Sequence, residues 1–124
     1  MLLGGILTIW NSNIFYGSIV QTNSYSFTVK FLCRLDNKIF HVSNIYGPLV
    51  SAQKQAFVTW LMNFDTNDFD DWIIAGDFNL IRQPENRNKP GRELSKMNMF
   101  NELISDLDLV EIPFSGREYT WSNM

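Results

Sequence analysis

Residues 72–75 read Trp-Ile-Ile-Ala and are closed by Gly76. A short continuous apolar run of this kind suits a strand buried on both faces. It lies between two stretches of helical periodicity. Phe57, Trp60, Leu61 and Phe64 fall at i, i+3, i+4 and i+7, which predicts a helix from about 52 to 64 with Ser51 as its cap. Phe100, Leu103, Ile104 and Leu107 repeat the spacing in a second helix, capped by Ser95. A strand between helices, preceded by further strands, predicts a mixed α/β layer architecture.

The earlier strands come from β-branched and alternating runs. Residues 6–10 (ILTIW), 14–20 (IFYGSIV) and 25–33 (YSFTVKFLC) each suit a strand. In the third, Tyr25, Phe27, Val29 and Phe31 alternate with Ser26, Thr28 and Lys30, so one face meets a core. Gln21–Ser24 and Asp36–Lys38 are turn-forming, and 39–46 (IFHVSNIY) completes a hairpin. Gly47-Pro48 ends it, because proline cannot continue a ladder. Residues 82–94, with Pro84, Pro90 and Gly91, suit a long loop. Val110–Ile112 and Tyr119–Trp121 are short strand candidates around a Pro113–Gly116 turn. The chain shows no internal repeat, and both ends look unfinished, which would leave a sheet edge unpaired at each.

Composition removes several functional classes. In 124 residues, 45% are apolar and 19% charged, which argues against disorder. No apolar run approaches the ~20 residues that cross a bilayer, and the start, MLLGGILTIWN, lacks the basic lead of a signal peptide. One cysteine, Cys33, permits no internal disulfide, and with one histidine, His41, no ordinary structural zinc site. His41 lies mid-strand without metal-ligand spacing and suits a half-buried structural role. Cys33, beside Leu32, shows no feature of an activated thiolate. Asp65–Gly76 starts like a calcium loop but has Asp70 where glycine is needed and Gly76 where glutamate is needed.

The net charge of −3 is unusual for a nucleic-acid binder, but the charges are segregated. Residues 65–77 hold five aspartates and no basic residue, while 82–96 hold five basic residues against two acidic, a net +3. A basic loop beside an acidic strand end suits a phosphate substrate; it also suits a solvated loop with scattered charge.

Three constellations carry chemistry. In Asp77-Phe78-Asn79, residues two apart on a strand share a face, so a carboxylate and a carboxamide point together while Phe78 turns to the core. Asp77 can accept a proton from water or hold a cation, and Asn79 can donate to a phosphate oxygen and accept from a water. Gly76 would leave room for a ligand. The same residues also suit a strand terminus with an Asx turn. In Asn44-Ile45-Tyr46-Gly47-Pro48, the Tyr46 hydroxyl can sit at a phosphate or the ring can simply pack. In Gly116-Arg117-Glu118-Tyr119-Thr120-Trp121, Thr120 alternates with two aromatics.

Their order, NIYGP, then WIIAGDFN, then a Pro-rich basic loop, then YTWSN, resembles the endonuclease/exonuclease/phosphatase superfamily. More closely, GGILTIWNS, HVSNIYGP, GDFNLIRQPENRNKPG and LVEIPFSGREYTWSNM resemble the endonuclease domain of plant LINE-type (non-LTR) retrotransposons. The resemblance implies a deoxyribonuclease-I-like two-sheet α/β sandwich and Mg²⁺-dependent hydrolysis of a DNA phosphodiester. That activity would nick target DNA for a reverse transcriptase domain in the same polyprotein. It implies that Asp77 activates the attacking water, Asn79 holds that water and a phosphate oxygen, Tyr46 lies beside the scissile phosphate, and Thr120 lies near the DNA backbone.

The departures shape the expectation as much as the matches. The family's early asparagine and metal-binding glutamate, and its late aspartate and Asp-His pair, have no counterpart here. His41 cannot stand in for the histidine, nor Glu85 for the glutamate. The expectation is therefore an incomplete α/β sandwich spanning residues 1–124, marginally stable, binding Mg²⁺ weakly or not at all, and inactive as an isolated chain. The intact element would act in the nucleus. Another phosphoesterase of the same superfamily and a non-catalytic remnant are the competing readings.

Overall fold

A computed structural model describes residues 2–3, 5–69, 71–80 and 94–112. The chain divides into two units, Met1–Pro48 with Phe64–Asn79, and Leu49–Asn63 with Leu80–Met124. The described strands fall in the first unit and the helices in the second, as expected for a mixed α/β chain and consistent with an incomplete sandwich.

In the first unit, β1 (Leu2–Leu3) and β2 (Ile6–Leu7) form a short antiparallel pair. β3 (Phe15–Thr22), β4 (Ser26–Cys33), β5 (Ile39–Tyr46) and β6 (Trp72–Asp77) form a sheet in that order. β3–β4–β5 is antiparallel, whereas β6 runs parallel to β5. β5 has the bounds its alternation predicts, because Asn37, at φ 61, and Gly47-Pro48 bracket it. The turn expected at 21–24 moves later. A bulge between Ile19 and Gln21 absorbs one residue, so β3 continues to Thr22 and the reversal closes with the Asn23 N–H on the Ser26 carbonyl at 2.8 Å.

The two faces of this sheet differ. Phe27, Val29 and Phe31 on β4 lie with Phe40 and Val42 on β5, and Ile6, Trp10 and Phe15 pack onto them. The expected strand 6–10 stops at Leu7. Beyond it Trp10 leaves the ladder and sets its ring edge-on to Phe31, 5.2 Å between centroids. The opposite face is polar at its centre. Thr28 and Ser43, both fully buried, share a hydrogen bond of 2.6 Å, and the Trp72 indole N–H donates to Ser43 Oγ at 2.8 Å. Buried polar groups of this kind persist when they satisfy one another. His41 is on this face, buried more deeply than expected and stacked on Phe69 at 4.6 Å.

Phe64 belongs to this unit too. Its helical spacing from Phe57 is coincidental: α1 (Ser51–Met62) closes at Asn63, and Phe64 stacks on Trp72 at 5.4 Å. β6 is not buried on both faces, since Ile73 is 42% exposed and Ala75 is exposed. Among the described residues it is, like β3, an edge strand of the sheet, paired on one side only.

In the second unit, α1 packs on α2 (Leu94–Asp106) and buries Phe57, Val58, Leu61 and Leu103. Each such side chain contributes about 1.5–3 kcal/mol when fully withdrawn from water. Ser51 and Ser95 are not caps, because α1 begins one residue and α2 two residues earlier than expected; Val50 holds the first N-cap position without a side-chain bond. α2 ends with Asp108 in the left-handed region at φ 55 and the Leu109 N–H on the Ile104 carbonyl at 2.9 Å, the six-to-one bond that stops a helix. The strand expected at 110–112 is absent. Val110 and Ile112 are 88% and 79% exposed and meet no partner strand among the described residues. The loop over 82–93 and the strand candidate at 119–121 lie outside the described residues.

Candidate functional site

β5 and β6 run parallel, so residues paired across them project from the same face. Tyr46 pairs with Asp77 at the C-terminal end of both strands. The phenol and the carboxylate therefore sit side by side, at a strand spacing of about 4.8 Å, and both are exposed.

The chain beyond each strand is tied to the other. The Gly47 N–H donates to the Asp77 carbonyl at 2.7 Å. Asn79 adopts φ 53, a left-handed conformation that asparagine tolerates better than most residues. That turn brings its Nδ2 back to donate to the Gly47 carbonyl at 2.6 Å. Its backbone N–H donates to Asp77 Oδ1 at 3.0 Å, which closes an Asx turn. Gly47 is thus a junction between the two strand ends. Tyr46, Asp77 and half-buried Asn79 lie on one solvent-open rim. The Asx turn and the convergence of the three residues coexist; neither excludes the other.

These bonds define the polar groups left over. Asn79 keeps one amide hydrogen and Oδ1, and Asp77 keeps Oδ2 and the remaining capacity of Oδ1. A phenol hydroxyl, an amide hydrogen and a carboxylate on one rim can hold one phosphate oxygen while accepting a proton from water.

Gly76 is required by the backbone of the neighbouring strand. At φ +128, its absent Cβ would collide with the Ile45 backbone of the neighbouring strand. Glycine is what permits β6 to remain paired with β5 just before Asp77. Phe78 is half-buried. Thr120 lies outside the described residues, as do most of the basic residues of 82–96.

Two further residues belong to the rim's framework and were not singled out by the sequence. Gly47 supplies both junction atoms. Asn44, two residues before Tyr46 on the same face, donates from Nδ2 to the Leu7 carbonyl and to Thr8 Oγ1, each at 3.0 Å. The alternation Asn44-x-Tyr46 already places the two side chains on one face, but their partners are far away in sequence.

For the Mg²⁺ that the resemblance implies, the described residues at this rim offer one carboxylate, Asp77. Among them no three His, Cys, Asp or Glu side chains come together, and Asp77 already accepts the Asn79 N–H. A lone carboxylate leaves an octahedral cation dependent on water and substrate oxygens. His41, on the opposite face, cannot serve this rim.

No protein-family model matches the chain. The chain is similar to the Transposon TX1 uncharacterized 149 kDa protein of Xenopus laevis, with 30% identity over 81 residues. The matched stretch is 64% of this chain and 6% of that protein. The likeness points to a transposon origin.

Proposed function

We propose that the chain is the central part of a retrotransposon endonuclease domain of the endonuclease/exonuclease/phosphatase type, and that the Tyr46–Asp77–Asn79 rim faces a DNA phosphate. The carrying observation is the parallel register that sets Tyr46 beside Asp77, with Asn79 folded back onto Gly47. In this reading Asp77 accepts a proton from the attacking water, while the Tyr46 hydroxyl and the free Asn79 N–H donate to phosphate oxygens. The similarity to a transposon-encoded protein supports a transposon polyprotein as the parent; DNA as the substrate and a reverse transcriptase domain in that polyprotein are part of the proposal.

The isolated chain should not turn over. Residues of a catalytic constellation act as a unit, and among the described residues the rim holds one carboxylate with no histidine or second metal ligand beside it, which forfeits most of the rate enhancement. Supercoiled plasmid incubated with the chain and Mg²⁺ should stay closed. Nicking that disappears in Asp77→Ala would overturn the claim of inactivity. Binding tests the substrate class separately: a fluorescent DNA duplex should bind weakly at low salt and dissociate as salt rises, because phosphate contacts release counterions. No binding at low salt would contradict the DNA reading.

A further inference from the structure

We propose that Asn44 is a positioning residue for Tyr46: it latches residues 5–8 across β5 and so holds the phenol in one orientation on the rim. The inference rests on the reading of that rim as the phosphate-facing site.

Three observations carry it. Asn44 and Tyr46 lie on the same face of β5, next to Ala75 and Asp77 of β6 in register. Both Asn44 amide bonds go to the end of β2 and the residue after it, the Leu7 carbonyl and Thr8 Oγ1. The hairpin turn of that segment lies against the Tyr46 ring: a Cβ on Gly5 would come 3.2 Å from Cε2 and 3.3 Å from Cδ2. The backbone at Gly5 therefore walls one edge of the ring, and Asn44 is a tether that keeps the wall in place.

A tyrosine at a strand end is otherwise free to sample its staggered wells. Tyr46 is 43% exposed, so part of the ring faces water and part is covered. If the wall selects one of roughly three wells, releasing it dilutes the competent orientation, and affinity through the phenol falls by up to about three-fold. Asn44 touches no reacting atom in this scheme; it acts through Gly5 and the ring.

The test uses the full chain with ¹³C-labelled tyrosine and a short DNA duplex. Asn44→Asp is nearly isosteric but cannot donate to the Leu7 carbonyl. It should move the Tyr46 ring resonances toward averaged values and weaken duplex binding by up to about three-fold. Tyr46→Phe should weaken binding in the native chain and less in the Asn44→Asp background. Gly5→Ala, which leaves the latch intact but presses a methyl on the ring, should also shift the Tyr46 resonances, and it keeps the test decisive if Asn44→Asp fails to fold. Unchanged ring resonances in either folded variant overturn the positioning role. A native chain whose duplex affinity ignores Tyr46→Phe overturns instead the phosphate reading of the phenol.

Discussion

One face of the β3–β6 sheet is built in two ways at its two ends. Toward β3, Trp10, Phe15, Phe31 and Phe40 fill the surface with rings packed edge-on and stacked at 5.2–5.9 Å. Toward the ends of β5 and β6, Asn44, Tyr46, Asp77 and Asn79 meet water, and hydrogen bonds hold the Asn44, Asp77 and Asn79 side chains. The first end contributes stability through area withdrawn from water. The second contributes little stability, and its polar groups stay available. Groups that are to meet a ligand cannot also be sealed into a core, so a sheet of this size assigns the two tasks to different ends.

Substitutions can break that contrast, starting from the aromatic end. Phe31 is 5% exposed and touches three other rings, so Phe31→Ala should cost about 3–5 kcal/mol in a urea melt. In a chain whose total stability is on the order of 5–15 kcal/mol, much of the population would unfold at 37 °C. A loss below about 1 kcal/mol would mean that the rings are not the anchor. Gly76→Ala comes next. The positive φ alone costs about 1–3 kcal/mol, and the clash with the Ile45 backbone should detach the end of β6. Hydrogen exchange at Gly47, whose N–H is bonded to Asp77, should accelerate more than exchange at β4.

Asp77→Ala should be nearly silent in stability, below about 1 kcal/mol, because it removes one exposed Asx bond. Yet it removes a negative charge beside the proposed phosphate, so duplex binding at low salt should tighten, whereas Phe31→Ala should act on stability alone. If it instead destabilises as strongly as Phe31→Ala, the division between the two ends fails. The smallest effect belongs to the β4–β5 turn. There the Lys38 backbone N–H and the Cys33 side chain hold the exposed Asp36 carboxyl below its ordinary value. A depressed folded value stabilises the turn above the usual carboxylate range, and that contribution is lost as pH falls through it. The Lys38 amide should therefore exchange faster in acid, relative to its intrinsic rate, and Asp36→Ala should abolish the difference.

Sequence periodicity revealed the strands that alternate and are firmly bracketed. β5 is the clearest, with turn chemistry at both ends. It misjudged Phe64, whose spacing fits a helix although the chain has already turned at Asn63 to place the ring on Trp72. It also misjudged the setting of β6, because an apolar run does not reveal whether other elements cover both faces of the strand. At the site, the spacing of two between Asp77 and Asn79 was legible, as was the strand end at Tyr46. The junction through Gly47 and the tether from Asn44 were not, since each depends on backbone groups more than thirty residues distant.

Residue-resolved NMR of the ¹⁵N-labelled chain, titrated with a short DNA duplex at low salt, tests the central claim most directly. The account predicts that the largest shifts fall on Tyr46, Gly47, Asp77 and Asn79 and shrink together in Tyr46→Phe, which removes a phosphate donor. Shifts centred instead on the exposed cations Lys30, Arg34 and Lys38, with those four residues unmoved, would contradict it.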